Sequence, residues 1–160
     1  MIKYIKGDLL DAFDKGDVNI IAHGVNCQGV MGSGISKSVK TRYPLVFKHY
    51  YDLVQANKVS SPRSADLLGC SQEIDMCNNK TIVNLFSQDY YSNRDVRNTS
   101  YDAIDQGLYL IKRYMQPNEK LGLPKIGAGL GGGDWKIIET IINQTFNDRE
   151  VYVYELEIKK

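Results

Sequence analysis

The sequence predicts an α/β fold of three layers, with helices on both faces of a central mixed, mostly parallel sheet. Three observations carry this. β-branched apolar runs alternate along the chain with segments of helical spacing, which is the order of parallel-strand units. Two glycine-rich stretches, 24–35 and 127–133, each lead from a strand into a helix, as loops do at the carboxyl ends of parallel strands. One strand pair is separated only by the turn Cys77-Asn78-Asn79-Lys80, which inserts a hairpin and makes the sheet mixed.

In chain order, 2–6 alternates apolar and polar residues and stops at Gly7-Asp8, a strand ended by a turn. Leu9, Leu10, Ala12 and Phe13 make an apolar cluster of one helical turn, broken at Lys15-Gly16-Asp17. The nearly continuous apolar run 18–23 is expected to be a central strand covered on both faces. After the first glycine loop, 36–42 and 45–56 have helical spacing, divided by Pro44. Residues 65–74 alternate loosely and pair, across the hairpin turn, with 81–86. A polar, tyrosine-bearing loop over 87–99 leads to a helix over 100–114 with Thr99 or Ser100 as N-cap. A buried strand at 121–126, the second glycine loop, a helix to Phe146 and an alternating strand at 151–156 complete the chain, which is expected to form one domain over 1–160.

Charge excludes some partners. Twenty basic residues face nineteen acidic ones, a net charge of +1, so no global field holds a polyanion and no extended nucleic acid is expected as a partner. Cys27, Cys70 and Cys77 are odd in number and contain no Cys-x-x-Cys pair, which supports neither a disulfide framework nor a zinc ribbon. His23 and Cys27 fall on a strand and a loop where their spacing does not converge, so neither a metal nor a cofactor is expected. No charged-then-apolar leader opens the chain and no apolar run approaches membrane-spanning length, so no membrane partner and a cytoplasmic location are expected.

Glycine takes five of the seven positions from Gly127 to Gly133. Bare backbone lets a ligand approach closely, and the helix start that follows brings unpaired N–H groups with partial positive charge. A phosphate suits such a place. No Gly-Lys-Ser/Thr follows and the strand lies late in the chain, which disfavours a Walker-type nucleotidase and a dinucleotide-binding dehydrogenase. Asn26 offers a paired donor and acceptor near the mouth of the first loop, and Ser33 either caps the next helix or touches a phosphate.

Ile5-Lys6-Gly7-Asp8-Leu9, then Ala22-His23-Gly24-Val25-Asn26-Cys27 with Met31-Gly32-Ser33-Gly34-Ile35, then Leu123-Pro124-Lys125-Ile126-Gly127-Ala128-Gly129-Leu130 stand in the order and spacing of a macrodomain. In these motifs, which span nearly the whole chain, the sequence resembles the ADP-ribose-binding family. It is most similar to the branch of small ADP-ribose 1″-phosphate phosphatases, their phage relatives and terminal ADP-ribose protein glycohydrolases. The resemblance implies a ligand path. Asp8, beside Leu9, would accept from the adenine amino group, and Asn26 would hold the distal ribose. Met31, Gly32, Ser33, Gly34 and Ile35 would wrap that ribose and a phosphate, and Gly127, Ala128, Gly129, Leu130 and Gly131 would cradle the diphosphate.

Two departures separate the possible chemistries. Glycohydrolases of the branch carry a lysine where this chain has Gln88 and an aspartate where it has Gly131. The expectation is therefore a metal-independent hydrolase, a phosphatase acting on ADP-ribose 1″-phosphate. The alternatives are a glycohydrolase acting on ADP-ribosylated protein and a non-catalytic ADP-ribose reader. Phosphomonoester hydrolysis needs charge stabilisation, a placed water and a proton for the leaving oxygen. Asp134 is expected to orient the water and His23 to supply the proton or a hydrogen bond. Two structural readings stand beside these: Asp134 as an N-cap, and His23 as a satisfied histidine at the end of a buried strand.

Overall fold

The computed structural model describes residues 1–91 and 96–157, so part of the loop expected over 87–99 lies outside the described residues. Among them run β1 (Ile2–Lys6), α1 (Leu9–Lys15), β2 (Ile20–Asn26), α2 (Gly34–Arg42), α3 (Pro44–Ser60), β3 (Ser71–Asp75) and β4 (Thr81–Gln88). Then follow α4 (Tyr101–Tyr114), β5 (Leu121–Leu123), α5 (Trp135–Thr145) and β6 (Val151–Glu155). The strands form one sheet in the order β1-β6-β5-β2-β4-β3. Every neighbouring pair is parallel except β3 with β4, the hairpin at one edge.

β2 lies inside the sheet between β5 and β4, and its side chains alternate between two buried faces. Ile20 and Ala22, with Val83 and Leu85 of β4, pack under α4 and α5 through Ile104, Leu108, Ile138 and Ile142. Ile21 and Ile82 turn the other way, onto α1 and α2 through Leu9, Phe13 and Val39. Val25 and Phe86 continue that face toward Tyr50 and Val54 of α3. Each fully buried aliphatic side chain contributes roughly 1.5–3 kcal/mol, so the two-sided burial of β2 fixes its register against a one-residue slip. Gly107 lets α4 approach the sheet, because a Cβ there would stand 2.5 Å from Leu85 Cγ.

The expected elements differ from these in three places. The cluster at 9–13 is a seven-residue helix, because Asp8 caps its start through Oδ1, which accepts from the Leu10 and Asp11 N–H groups, and Gly16 closes its end at φ 84°. The strand expected over 65–74 divides into a 3-10 turn at Ser64–Leu67 and β3, separated at Gly69, whose φ is 82°. The strand expected over 121–126 ends at Leu123, before Pro124, which has no N–H for the ladder. The hairpin turn is as expected, with Cys77, Asn78 and Asn79 all at positive φ. No helix among the described residues is long and apolar enough to cross a membrane.

Candidate functional site

β2, β4 and β5 are parallel, so their carboxyl ends meet at one edge of the molecule and the loops that follow converge there. They enclose a cavity of about 410 Å3. Gly32, Ser33 and Gly34 from the first glycine loop and Gly127, Gly129 and Gly131 from the second line it together, although about a hundred residues separate them in sequence. Asn26, Ser87 and Gln88 line it from the ends of β2 and β4. A second cavity of about 560 Å3, lined by Asp8, Leu9, Tyr154 and Glu155, shares Gly34, Ile35, Pro124 and Lys125 with the first, so the two adjoin.

The loops are shaped by their own hydrogen bonds. In the second, Gly133 N–H donates to Gly127 O at 2.8 Å and Gly132 N–H to Gly129 O at 3.1 Å. Thr99 ties it down: its hydroxyl donates to Gly127 O at 2.8 Å and its N–H to Gly131 O at 3.0 Å. The N–H groups of Gly129, Leu130 and Gly131 make no hydrogen bond to another described residue. Nor do those of Gly34, Ile35 and Ser36, the first turn of α2, because the N-cap Ser33 makes no side-chain capping bond. Six such donors on the wall of one cavity, three of them at a helix start, are an arrangement that suits an anion.

Tyr50 holds the turn that opens the first loop. Its buried hydroxyl accepts from Gly29 N–H and Val30 N–H, both at 3.1 Å, and lies 2.7 and 2.8 Å from Asn26 O and Oδ1. Burial and the neighbouring Cys27 push the Tyr50 phenol well above its ordinary range, so it remains a neutral donor. Asn26 spends much of its side chain in the same turn, Nδ2 donating to Val30 O at 2.8 Å and Oδ1 accepting from Gln28 N–H at 3.0 Å. It nevertheless lines the cavity, as a framework residue with one face to the ligand space.

His23 lies in the middle of β2, 1 % exposed, and does not line either cavity. Asn84 Nδ2 donates to Gln72 Oε1 at 3.1 Å, which turns Asn84 Oδ1 toward the ring, so His23 Nε2 carries the proton and donates to it at 2.6 Å. Nδ1 is then an acceptor, 3.2 Å from Ser36 Oγ. Burial holds the imidazole to a pKa of about 4, against an ordinary 6.5, and with both nitrogens engaged inside the protein the expected proton donation to a ligand is not what this geometry provides.

Asp134 is exposed, caps α5 by accepting from Lys136 N–H at 2.9 Å, and receives its own fixed position from Tyr101, whose hydroxyl accepts from Asp134 N–H at 2.9 Å. It lies outside both cavity linings, and its expected role as an N-cap, which is compatible with a role on water, is borne out. Met31 is buried in the core under α3, and Ala128 turns its N–H to Lys125 O at 3.2 Å; neither reaches a cavity surface. The other expected contacts are brought together: Asp8 and Leu9 at one end, Ile35 at the seam, Leu130 and the glycines in the first cavity.

Some lining residues were not anticipated as contacts. Lys125 lines both cavities and is the one basic side chain to do so among the described residues; its Nζ pairs with Glu155 at 2.9 Å. Gln88, which stands where the glycohydrolases carry a lysine, lines the first cavity directly. Ser36 and Ser87 gave no signal in a linear reading, because a serine in a helix turn or a strand is ordinary until its neighbours are known. Gly131 has a steric reason: a Cβ there would overlap the Thr99 hydroxyl and stand 3.0 Å from Gly127 O, so the loop as folded has no room for a side chain. Among the described residues no cluster of three or more His, Cys, Asp or Glu side chains could hold a metal ion.

No family model matches the chain. Among curated proteins it is 29% identical to an ADP-ribose 1''-phosphate phosphatase of Debaryomyces hansenii, over 98% of this chain and 100% of that one. It is 32% identical to a DNA ADP-ribosyl glycohydrolase of Mycobacterium tuberculosis, over 91% of this chain but 39% of that longer protein. Among solved structures it matches the macrodomain of Mycobacterium tuberculosis DarG with a TM-score of 0.76 and 29% identity, covering 96% of this chain and 97% of that one. By sequence along its length the chain is similar to these proteins, and by its three-layer α/β fold it is similar to solved macrodomains.

Proposed function

We propose that the protein is an ADP-ribose-binding hydrolase that removes the terminal phosphate of ADP-ribose 1″-phosphate. The observation that carries this is the joining of two cavities into one cleft, with a carboxylate at one end and, from the seam onward, six backbone N–H groups that make no hydrogen bond to another described residue. Adenosine fits the cavity holding Asp8, whose two capping bonds both fall on Oδ1, so that Oδ2 can accept from the adenine amino group. The diphosphate then crosses the seam at Gly34, Ile35 and Lys125, and the distal ribose with its phosphate reaches Asn26 and Gln88. The curated relatives of full length that carry the phosphatase name support the same substrate.

In this arrangement the chain's own groups act on the phosphoryl group by position and charge. Backbone donors fixed before the ligand arrives stabilise charge on its oxygens without reorganising. Lys125 adds the cation, released from Glu155 as the ligand enters. Water attacks phosphorus as the bond to the 1″ oxygen breaks, and a proton of that water passes to the departing oxygen, giving ADP-ribose and inorganic phosphate; neither Asp134 nor His23 lines the cleft where this occurs. A second reading, glycoside cleavage from ADP-ribosylated protein or DNA, has the mycobacterial relative in its favour and Gln88 and the closed Gly131 position against it.

Incubation with ADP-ribose 1″-phosphate in chelator, followed by release of inorganic phosphate, tests the proposal. Phosphate release at enzymatic rates is expected. ADP-ribose binding without release, and with no cleavage of ADP-ribosylated protein, would leave a reader. Asp8→Asn keeps the helix cap but presents an amide, and is expected to weaken ADP-ribose by about tenfold while the melting temperature holds.

A further inference from the structure

Ser87 stands at the carboxyl end of β4, one residue before Gln88, on the sheet face shared by Val83 and Leu85. It is 1 % exposed and lines the first cavity. Its hydroxyl makes no hydrogen bond to another described residue. Buried hydroxyls are almost always partnered, because an unmade bond leaves the desolvation of the group uncompensated. Ser87 Oγ is not sealed into the core: the little surface the residue keeps opens on a ligand-sized cavity, and what enters that cavity can partner it.

Two neighbours sharpen its role. A Cβ at Gly24 would overlap Ser87 Oγ, so the glycine keeps the space around the hydroxyl open. Ser36 Oγ, on the same wall as Ser87 and the exposed Ser33, lies 3.3 Å from Gly24 O and 3.2 Å from His23 Nδ1. Both of those are acceptors, the second because His23 Nε2 holds the ring proton, so the single proton of Ser36 turns into the protein and its oxygen meets a ligand only as an acceptor. The proton of Ser87 is uncommitted. Beside Gly24 the wall therefore offers a hydroxyl acceptor at Ser36 and a hydroxyl donor at Ser87, both more enclosed than the exposed Ser33.

Ser87 and Gly24 line only the first cavity, apart from the residues that seam it to the cavity of Asp8. We propose that Ser87 is a ligand-binding residue whose hydroxyl donates a hydrogen bond to an oxygen of the distal ribose of ADP-ribose. This rests on the orientation given under the proposed function, with adenosine at Asp8, and adds to it a residue that distinguishes ligands with the distal ribose from those without.

The test is the pair of dissociation constants for ADP-ribose and ADP, measured by calorimetry on the full chain, for the wild type, Ser87→Ala and Gly24→Ala, with a thermal melt of each. Ser87→Ala is expected to weaken ADP-ribose by about tenfold, the size of one lost hydrogen bond, to leave ADP unchanged and not to lower the melting temperature. Gly24→Ala, which fills the space beside the hydroxyl, is expected to show the same selective loss. Equal weakening of both ligands by Ser87→Ala, or no weakening of ADP-ribose, overturns the proposal whether or not Gly24→Ala folds. Wild-type protein that binds ADP-ribose but releases no phosphate from its 1″-phosphate refutes the phosphatase reading alone, and the Ser87 comparison still decides this one. Wild-type protein that binds neither ligand refutes both.

Discussion

His23 and Asn84 stand side by side on adjacent parallel strands, and the imidazole Nε2 donates to the amide oxygen at 2.6 Å in a layer closed to solvent. The pair is a polar rung between apolar neighbours, Ala22 on β2 and Val83 and Leu85 on β4. It holds a neutral histidine at the middle of β2 and, through Nδ1, orients Ser36 at the start of α2.

That burial makes stability depend on acid. The folded pKa is about 4 and the ordinary value 6.5, so between these values the unfolded chain binds more protons than the folded one, and stability rises with pH. The contribution is complete above about pH 6.5 and is lost progressively as pH falls toward 4, by about 3 kcal/mol in all. Denaturant unfolding at pH 4, 5 and 7 is expected to show that loss in the wild type. His23→Gln, which retains a donor toward Asn84 but does not titrate, is expected to flatten the profile across the same window.

Tyr50 should couple stability to binding. Tyr50→Phe keeps the ring against Phe86 but removes the group that accepts from Gly29 and Val30 and contacts Asn26. Leaving the buried Gly29 N–H unsatisfied costs roughly 1–3 kcal/mol. A melting curve is expected to show the loss, and calorimetry a weaker ADP-ribose affinity, because the first glycine loop is no longer held in its binding shape. Unchanged affinity would mean that the loop keeps its shape without the hydroxyl.

Asp134 is expected to act on the helix rather than on the ligand. Asp134→Ala removes the bond to Lys136 N–H and should cost about 1 kcal/mol, whereas Asp134→Ser, which can cap, should restore most of it. Phosphate release well below the melting temperature is expected to be unaffected by either. If both variants lose turnover while the serine variant retains stability, the carboxylate has a chemical role that its position outside the cavities does not reveal.

Legibility followed range in sequence. The cap at Asp134, the cap at Ser100, the division at Pro44 and the hairpin turn over 77–80 are local, and each can be read from a few neighbouring residues. The two glycine loops were legible as ligand-approach points because their strand-loop-helix context is local too. Asn26 and Asp8 were legible through family motifs, but their hydrogen bonds within the turn and the cap were not, since Tyr50 lies 24 residues from Asn26. His23 was the instructive case. A histidine ending an apolar run looks the same in sequence whether its ring faces a ligand or a buried amide 61 residues away.

By itself the sequence determined the three-layer class, the alternation of strands and helices and the two stretches where backbone is bare, because propensity, periodicity and glycine content act over a few residues. Only the tertiary structure decided which side chains face the cleft. It buried His23, set Asp134 outside both cavities, joined Gly32 to Gly129 across one space and put Ser87 on its wall. Those outcomes depend on strand order and on which face of the sheet each residue takes, and a parallel sheet makes neighbours of residues that the chain keeps far apart.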